Sequence, residues 1–334
     1  MTDTGIVVGG PMPAIGDLAR LAEDGGYKSV WVAETAYSAY VQAALACEST
    51  STVKVGTNIA LAFPRSPTIT AMTARDLAEL SGGRFILGLG SQVKRVNEHR
   101  FGVPFEHPAP KMAEYVEVIR EVLATFRGET IDHRGRFYTV TMNPFPGAAP
   151  VEDVPVHVAA VNVKMVEGAA RVADGVLGHP LTSPQYVREV VRPALERGAR
   201  EAGRDPAEVS LTNSVILQLN DDRERARFEA ALQIAFYATT RTYRPVLDLH
   251  GFGDLTGPLR EAFARGDLAE MATIAMPMVD TYAVAGPEDE CRERLAGFDG
   301  LVDRILLGGA WVGPDQQSIA ENYRRILETF RPAA

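Results

Sequence analysis

Four segments of the sequence repeat one local pattern, in which an apolar-periodic helix ends near glycine and an apolar run follows. The segments are LAEDGGYKSVWVAE, LAELSGGRFILGLG, ARVADGVLGHPL and LAGFDGLVDRILLGG. Glycine directly after a helix is the expected left-handed cap. The apolar runs lack the alternation of a half-exposed strand, which is typical of a parallel sheet covered on both faces. The pattern therefore predicts an α/β fold built from helix–strand units.

Four further apolar runs bring the number of predicted strands to eight: residues 5–10, 54–61, 155–161 and 209–219. Eight strands with intervening helices predict a (β/α)8 TIM barrel, and a doubly wound sheet is the alternative that the pattern leaves open. The length of 334 residues favours the barrel, because one such barrel commonly runs to about 250 residues and grows by insertions. We predict a single domain over residues 1–334.

Two stretches interrupt the alternation of helices and strands and predict insertions. Residues of about 128–154 form a small insertion before strand five, with a hairpin around Arg134-Gly135. Residues of about 221–302 are too long for one helix and predict a helical, substrate-facing insertion between strands seven and eight. Two helices are predicted to begin at Ser66-Pro67 and Ser183-Pro184, since serine caps a helix and proline suits its first position.

Composition excludes several classes of partner. The net charge is −9 with no basic block, which argues against nucleic acid and anionic membranes. No apolar run approaches the length of a membrane span, and the first residues do not form a signal peptide. The two cysteines, Cys47 and Cys291, fit a reducing compartment. We therefore predict a cytoplasmic protein.

The segment GRFILGLGSQVKRVNE, residues 83–98, is similar to a dinucleotide-binding fingerprint. The fingerprint needs a third glycine and an acidic residue about 20 positions later, and both are missing. Gly88-Leu89-Gly90-Ser91 is therefore interpreted as the end of barrel strand four. In barrels the chemistry lies at the carboxyl ends of the strands, so we assign the candidate site from the residues that end each strand.

Small residues dominate the predicted rim, where they let a flat ligand approach the backbone. They include Gly90, Ala159, Ala160 and Gly178. The few polar residues are Glu34, Asn58, Ser91, Asn97 and His179. An apolar cleft with a few placed polar groups is typical of a cofactor pocket. Each polar residue also has an ordinary interpretation, as a helix cap, a turn or a loop residue.

The histidines predict no metal site, because they lack the spacing of metal ligands. His157 lies within a predicted strand, and we expect it to be a hydrogen-bonded core residue. The sequence also contains no P-loop, no G-x-S-x-G and no H-E-x-x-H.

Seven segments together resemble the bacterial luciferase-like superfamily, and most of all its branch that uses the deazaflavin coenzyme F420. They are GYKSVWVAET, VKVGTNIALAFPRSP, LAELSGGRFILGLGS, FRGETIDHRGRFYTV, VPVHVAA, AARVADGVLGHPLTSP and GAREAGRDP. The resemblance covers essentially the whole chain and rests on the order and spacing of the segments. It implies a (β/α)8 barrel with an insertion after strand seven, and a protein that is commonly a homodimer.

The resemblance also implies roles for the rim residues. Asn58 and Ile59 match a bulge that often holds a cis peptide bond under the central ring of the deazaflavin. Ser91 and Asn97 match positions that contact the coenzyme, and Ala159, Ala160 and Val161 match backbone positions beside its side chain. The phosphate-binding loop corresponds to Gly178, His179 and Pro180. Glu34 matches an acidic position near the reacting ring, as a proton donor or an anchor of that ring.

Two departures from the resemblance concern the acid/base groups. Relatives often carry an acid/His pair where this chain has Glu34-Thr35, and some carry a glutamate where it has Val93. The sequence therefore predicts an F420-dependent oxidoreductase acting on a small organic molecule that it does not name. An FMN-dependent monooxygenase and a flavin-binding protein without turnover are the alternatives.

Overall fold

The structure is a computed structural model that describes residues 2–145, 147 and 153–332. Its strands are β1 (Asp3–Val8), β2 (Ser29–Val32), β3 (Lys54–Thr57), β4 (Ala60–Leu61), β5 (Phe85–Gly90), β6 (Ile131–Arg134), β7 (Thr139–Met142), β8 (Val156–Ala159), β9 (Gly175–Gly178), β10 (Ser210–Leu219), β11 (Ala283–Gly286) and β12 (Arg304–Gly308). Part of the predicted insertion, residues 146 and 148–152, lies outside the described residues.

The helices surround the sheet. They are α1 (Met12–Asp24), α2 (Ala39–Ser49), α3 (Pro67–Ser81), α4 (Lys94–Arg100), α5 (Pro108–Thr125), α6 (Val163–Val172), α7 (Pro184–Tyr186), α8 (Arg192–Glu201), α9 (Arg223–Ala238), α10 (Arg244–Leu249), α11 (Thr256–Arg265), α12 (Leu268–Ala275), α13 (Val279–Tyr282), α14 (Glu288–Leu295) and α15 (Gln316–Thr329). Among the described residues, none of these helices combines the length and apolar character that a bilayer crossing needs.

The sheet closes into a barrel of eight parallel strands. Its order is β1, β2, β3, β5, β8, β9, β10 and β12, and β12 pairs with β1 to close the ring. The predicted barrel is confirmed, and each of its eight strands corresponds to one predicted run. The predicted hairpin is also present, as the antiparallel pair β6 and β7.

The two predicted helix starts are confirmed by their capping bonds. The hydroxyl of Ser66 accepts the backbone N–H of Ile69, at 3.2 Å. The hydroxyl of Ser183 accepts that of Tyr186, at 3.0 Å. Each bond satisfies one of the backbone donors that a helix start leaves without an internal partner.

The helical insertion predicted between strands seven and eight contains the helices α9 to α14 and, in addition, one short strand. Residues 283–286 form the strand β11, which pairs with Ile216–Leu219 in the second half of β10. The first half of β10 pairs with β9, which ends at Gly178. β10 extends beyond the end of β9, so the backbone N–H and C=O groups of its second half would have no partner at this edge. β11 pairs with them.

The barrel interior contains an apolar layer. Trp31, Ile86, Leu177 and Leu306 form this layer, and each is at most 4% exposed. The Cβ that alanine would add at Gly56 would lie 2.4 Å from the Trp31 ring. Glycine at this position of β3 is therefore what lets the largest side chain of the layer fit inside the barrel.

Candidate active site

A half-buried apolar floor lies at the carboxyl end of the barrel. Val7, Ile59 and Ala159 pack on the interior layer below them and are themselves only partly buried. The side chains of a strand alternate between faces, so Gly9 lies on the same face as Val7, one step nearer the mouth. A Cβ at Gly9 or at Gly10 would meet no atom within 4 Å. The floor is therefore bordered by backbone without side chains at the end of β1.

The break between β3 and β4 shapes one side of this floor. The Asn58–Ile59 peptide bond is cis, as the resemblance implied. The Asn58 backbone N–H donates to Val32 at 2.7 Å, and its side-chain amide donates to the Ser214 hydroxyl at 2.9 Å. Asn58 was predicted inside a strand, and it instead occupies the bulge, where its amide reaches across to β10.

Glu34 lies beside this bulge and is bound to Arg65. The Arg65 guanidinium donates to both carboxylate oxygens, to Oε2 at 2.8 Å. The Leu61 backbone N–H donates to the same Oε2 at 2.8 Å, and the Glu34 N–H donates to the Ile59 carbonyl at 3.1 Å. The Glu34 side chain is 11% exposed. Hydrogen bonding to Glu34 raises the pKa of Arg65 above its usual range. The Arg65 guanidinium and the Leu61 N–H both use the Glu34 carboxylate as an acceptor, which is the geometry of an anchor.

The two glycines near the end of β5 pack closely against the break between β3 and β4. A Cβ at Gly88 would lie 1.8 Å from the Thr57 carbonyl oxygen, and one at Gly90 would lie 2.1 Å from Cδ1 of Ile59. These positions are glycine because neighbouring protein atoms fill the space beside them, so no flat ligand is needed to explain them. Gly9 and Gly10, after β1, do border open space, and they were not among the predicted site residues.

Ser91 lies in the loop between β5 and α4, and Asn97 of α4 holds this loop by hydrogen bonds. Asn97 is fully buried, and its amide donates to the carbonyls of Ser91 at 2.8 Å and Val93 at 3.1 Å. The Ser91 hydroxyl donates to the Gln92 carbonyl at 3.2 Å and is only partly buried. Ser91 is thus available at the rim, whereas Asn97 holds the loop that presents it.

The residues at the end of β8 and directly after it also differ in how exposed they are. Ala159 and Val161 are partly buried, and Ala160 is 2% exposed. The Ala160 N–H donates to Leu177 at 3.0 Å, and the Val161 carbonyl accepts the Tyr186 hydroxyl at 3.2 Å. Much of the backbone that the resemblance placed beside a ligand therefore already bonds within the protein.

His179 follows β9 and lies among aromatic rings. Its ring stacks on Tyr243 at 4.3 Å between centroids and meets the edge of Tyr237 at 4.5 Å. Burial lowers the pKa of His179 to about 3. Nδ1 accepts the Leu181 N–H at 3.1 Å, so the neutral ring carries its hydrogen on Nε2. His179 can offer a ligand one neutral hydrogen bond and no positive charge at neutral pH.

The residues on either side of His179, Gly178 and Pro180, are in contact with other parts of the protein. A Cβ at Gly178 would lie 2.0 Å from the Asn213 amide oxygen. That oxygen also accepts the Thr182 hydroxyl at 2.6 Å. Pro180 is partly buried and lines a separate cleft of 320 Å³ next to β11. Of the predicted phosphate loop, His179 therefore has the clearest access to the mouth.

The sequence profile of one known family matches residues 2–304. The chain belongs to the luciferase-like monooxygenase family. An uncharacterised protein of Mycobacterium tuberculosis (strain ATCC 25618 / H37Rv) is 40% identical over 299 residues, which is 87% of this chain and 88% of that protein.

Several relatives and structural neighbours have descriptive names. The 5,10-methylenetetrahydromethanopterin reductase of Methanolobus tindarius is 29% identical, over 92% of this chain and 93% of its own length. The coenzyme F420 dependent tetrahydromethanopterin reductase of Methanopyrus kandleri superimposes with a TM-score of 0.80 at 24% identity, and each chain is 98% covered. An F420-dependent secondary alcohol dehydrogenase superimposes with a TM-score of 0.75 at 19% identity and the same coverage. The two superpositions establish the shared fold.

The site of this luciferase-like chain contains residues that sequence reasoning missed. They are Gly9, Gly10, Arg65, Tyr237, Tyr243 and Trp311. Arg65 directly precedes the Ser66 cap of α3, which is the local signal that could have placed it near the rim. The aromatic residues carry no such signal, because they lie in the long insertion or after β12.

We expect the stability of the protein to fall on acidification because of His157. This histidine is 5% exposed, and its Nδ1 has no hydrogen-bond partner among the described residues, so the prediction of a fully bonded core histidine is wrong. Burial, with the positive charge of Arg304, lowers the pKa of His157 to about 4. The unfolded chain takes up this proton near pH 6.5 and the folded chain does not, so stability rises with pH between these two values.

The expected size of the His157 effect is about 2 kcal/mol between pH 7 and pH 5. Urea unfolding of the wild type and of His157→Leu at both pH values measures it. The variant should lose about 2 kcal/mol less than the wild type over this range. An identical pH dependence of the two proteins would contradict the assignment.

Proposed function

We propose that the protein is a coenzyme F420-dependent oxidoreductase that transfers a hydride between the deazaflavin and a small organic substrate. The observation that carries the proposal is the half-buried floor of Val7, Ile59 and Ala159, open on the side of Gly9 and Gly10. A flat apolar ring system needs such a surface. The named relatives support the choice of coenzyme, since the reductase of Methanolobus tindarius matches along 92% of this chain.

The residues present fit a deazaflavin. The floor would carry the ring, and the bulge at Asn58 and Ile59 would support its centre. Ser91 at the rim and the neutral Nε2–H of His179 are the polar groups within the mouth that could bind its polar parts. When bound, the coenzyme supplies the hydride chemistry, and the protein supplies position and exclusion of water.

We assign Glu34 a positioning role in this reaction. Its carboxylate accepts from Arg65 and Leu61, and its N–H donates to Ile59, so it fixes both sides of the bulge. The ion pair also holds the Arg65 guanidinium at the edge of the site, where it offers positive charge to an anionic group. The proton that accompanies hydride transfer then comes from another group or from solvent.

Parallel titrations with F420 and FMN test the choice of cofactor. We expect F420 to bind at least tenfold more tightly than FMN, measured from the fluorescence of each compound as protein is added. Gly9→Leu should weaken F420 binding at least tenfold without lowering the melting temperature, because its side chain enters space that is empty of protein atoms. Tighter binding of FMN would instead favour the monooxygenase alternative.

A homodimer is proposed on the outer surface of α2. Tyr37, Val41 and Leu45 recur every fourth residue and are 42%, 52% and 37% exposed. Val41 and Leu45 lie on α2 and Tyr37 lies just before its start, and an exposed apolar patch of this kind is typical of a protein–protein contact. Light scattering should give twice the chain mass of 36.1 kDa, and Val41→Glu should return it to the single value. A cytoplasmic location stays a prediction.

A further inference from the structure

The loop that follows β12 is held by buried glutamines. The Ala310 N–H donates to the Gln218 side chain at 3.2 Å. The next two N–H groups, of Trp311 and Val312, donate to the Gln233 side chain at 2.9 and 3.1 Å. Gln218 and Gln233 are 2% and 1% exposed. Burying polar side chains is costly unless they are bonded, so this short loop is rigidly specified.

This rigid loop carries an exposed tryptophan. Trp311 is 47% exposed, whereas Trp31, the other tryptophan of the chain, is fully buried. The Trp311 ring meets Phe236 edge to face, with centroids 5.2 Å apart, and Phe236 meets Phe263 at 6.1 Å. A large aromatic surface held in place and left open to solvent is typical of a binding site.

Trp311 stands beside the proposed site. β12 is the barrel neighbour of β1, so the loop after β12 leaves the barrel at the same end as Gly9 and Gly10, which follow β1. On its other side, the Trp311 side chain lies near the hydroxyl of Tyr237, whose ring contacts His179. Above the floor, the side of the mouth between β9 and β12 is therefore a wall of aromatic rings, those of His179, Tyr243, Tyr237, Phe236 and Trp311.

The rings of this wall carry no charge at neutral pH. Burial lowers the pKa of His179 to about 3 and raises the pKa of Tyr237 and of Tyr243. Phe236 and Trp311 do not ionise. The charged residues Glu34 and Arg65 follow β2 and β4, away from this wall.

We propose that Trp311 and Phe236 form the substrate subsite and that the substrate presents a neutral, flat aromatic or conjugated ring to it. The proposal rests on the proposed function, since it names the substrate class of that same site. Aromatic rings prefer edge-to-face and offset contacts with one another, and a saturated ring of equal size lacks this preference. Trp311 is thereby a specificity-determining residue.

The test compares 2-naphthol with decahydro-2-naphthol, a saturated ring pair with the same carbon skeleton and the same hydroxyl. Calorimetry on F420-loaded and F420-free protein measures both. We expect 2-naphthol to bind at least tenfold more tightly than its saturated partner. Trp311→Ala should abolish this preference, and Trp311→Phe should keep it within threefold. F420 affinity, titrated separately, should stay within twofold in both variants.

Phe145→Ala is the matched control. Phe145 is 38% exposed and stacks on Phe126, which follows the end of α5 at the opposite end of the barrel. The control should leave 2-naphthol binding unchanged. Equal binding of the two probes, or an unchanged preference in a folded Trp311→Ala protein, would overturn the proposal. A tenfold loss of F420 affinity in Trp311→Ala would also overturn it, because it would assign the indole to the cofactor. If the wild type binds no F420, the proposed function fails, and the F420-free titration still decides the subsite.

Discussion

Gly88→Ala should destabilise the protein by about 3 to 4 kcal/mol, because overpacking costs about 1 to 3 kcal/mol and lost hydrogen bonds add about 1 kcal/mol each. The new Cβ would lie 1.8 Å from the Thr57 carbonyl oxygen and 2.9 Å from Cδ1 of Leu177. The first of these is a backbone atom and cannot turn aside. β3 and β5 must separate, which endangers the two bonds between the Thr57 hydroxyl and Gly88, of 2.7 and 2.9 Å.

Gly9→Ala is the matched control for this substitution. Its Cβ would meet nothing within 4 Å, so the change should stay within about 0.5 kcal/mol. Urea unfolding midpoints of the wild type and both variants provide the comparison. A loss below about 1 kcal/mol at Gly88, or equal losses at both positions, would contradict the close approach of β3 and β5.

Glu34→Gln should weaken F420 binding at least tenfold and reduce stability by about 1 to 2 kcal/mol. The substitution leaves the half-buried Arg65 guanidinium without its counter-charge and loosens the acceptor for the Leu61 N–H. The bulge at Asn58 and Ile59 then loses its side-chain support at Leu61, whereas the bond from the backbone N–H of residue 34 to Ile59 remains. The fluorescence titration of F420 measures the first effect and urea unfolding the second.

A double-variant cycle measures the coupling free energy between Glu34 and Arg65 separately from the effect of each single substitution. Glu34→Gln combined with Arg65→Leu should lose less stability than the sum of the single variants, by about 1 to 2 kcal/mol, since neither charge is then left unpaired. Asp17→Asn breaks the exposed pair with Arg20 and should change stability by less than about 0.5 kcal/mol. Additive losses at Glu34 and Arg65 would rule out the coupling.

The same Glu34→Gln protein distinguishes positioning from proton donation. If Glu34 positions the bulge, turnover with a reactive substrate at saturating F420 should keep the shape of its pH profile, and the KM for F420 should rise. If Glu34 is instead the proton donor, the Glu34→Gln protein should lose one limb of that pH profile. Loss of a limb without a change in F420 affinity would return Glu34 to the role of an acid.

The sequence by itself determined the barrel, the helix starts and the rim of the site. Helix periodicity, the Ser66 and Ser183 caps and the apolar strands are local patterns, because neighbouring residues dictate them. The carboxyl ends of the strands follow from the strand limits alone, which is why Asn58, Ala159 and His179 were candidates before any contact was known, whereas Ile59 was implied by the family resemblance.

Only the tertiary structure decided how the rim residues are used. Glu34 and Arg65 are 31 positions apart, and Gln233 and Trp311 are 78 apart. No local pattern encodes such partners. The glycines show the same limit, since Gly88 and Gly9 look alike in sequence, and only the packing shows that protein fills the space beside one and leaves the other open. A residue's type restricts what it can do, and its distant neighbours decide which of those roles it has.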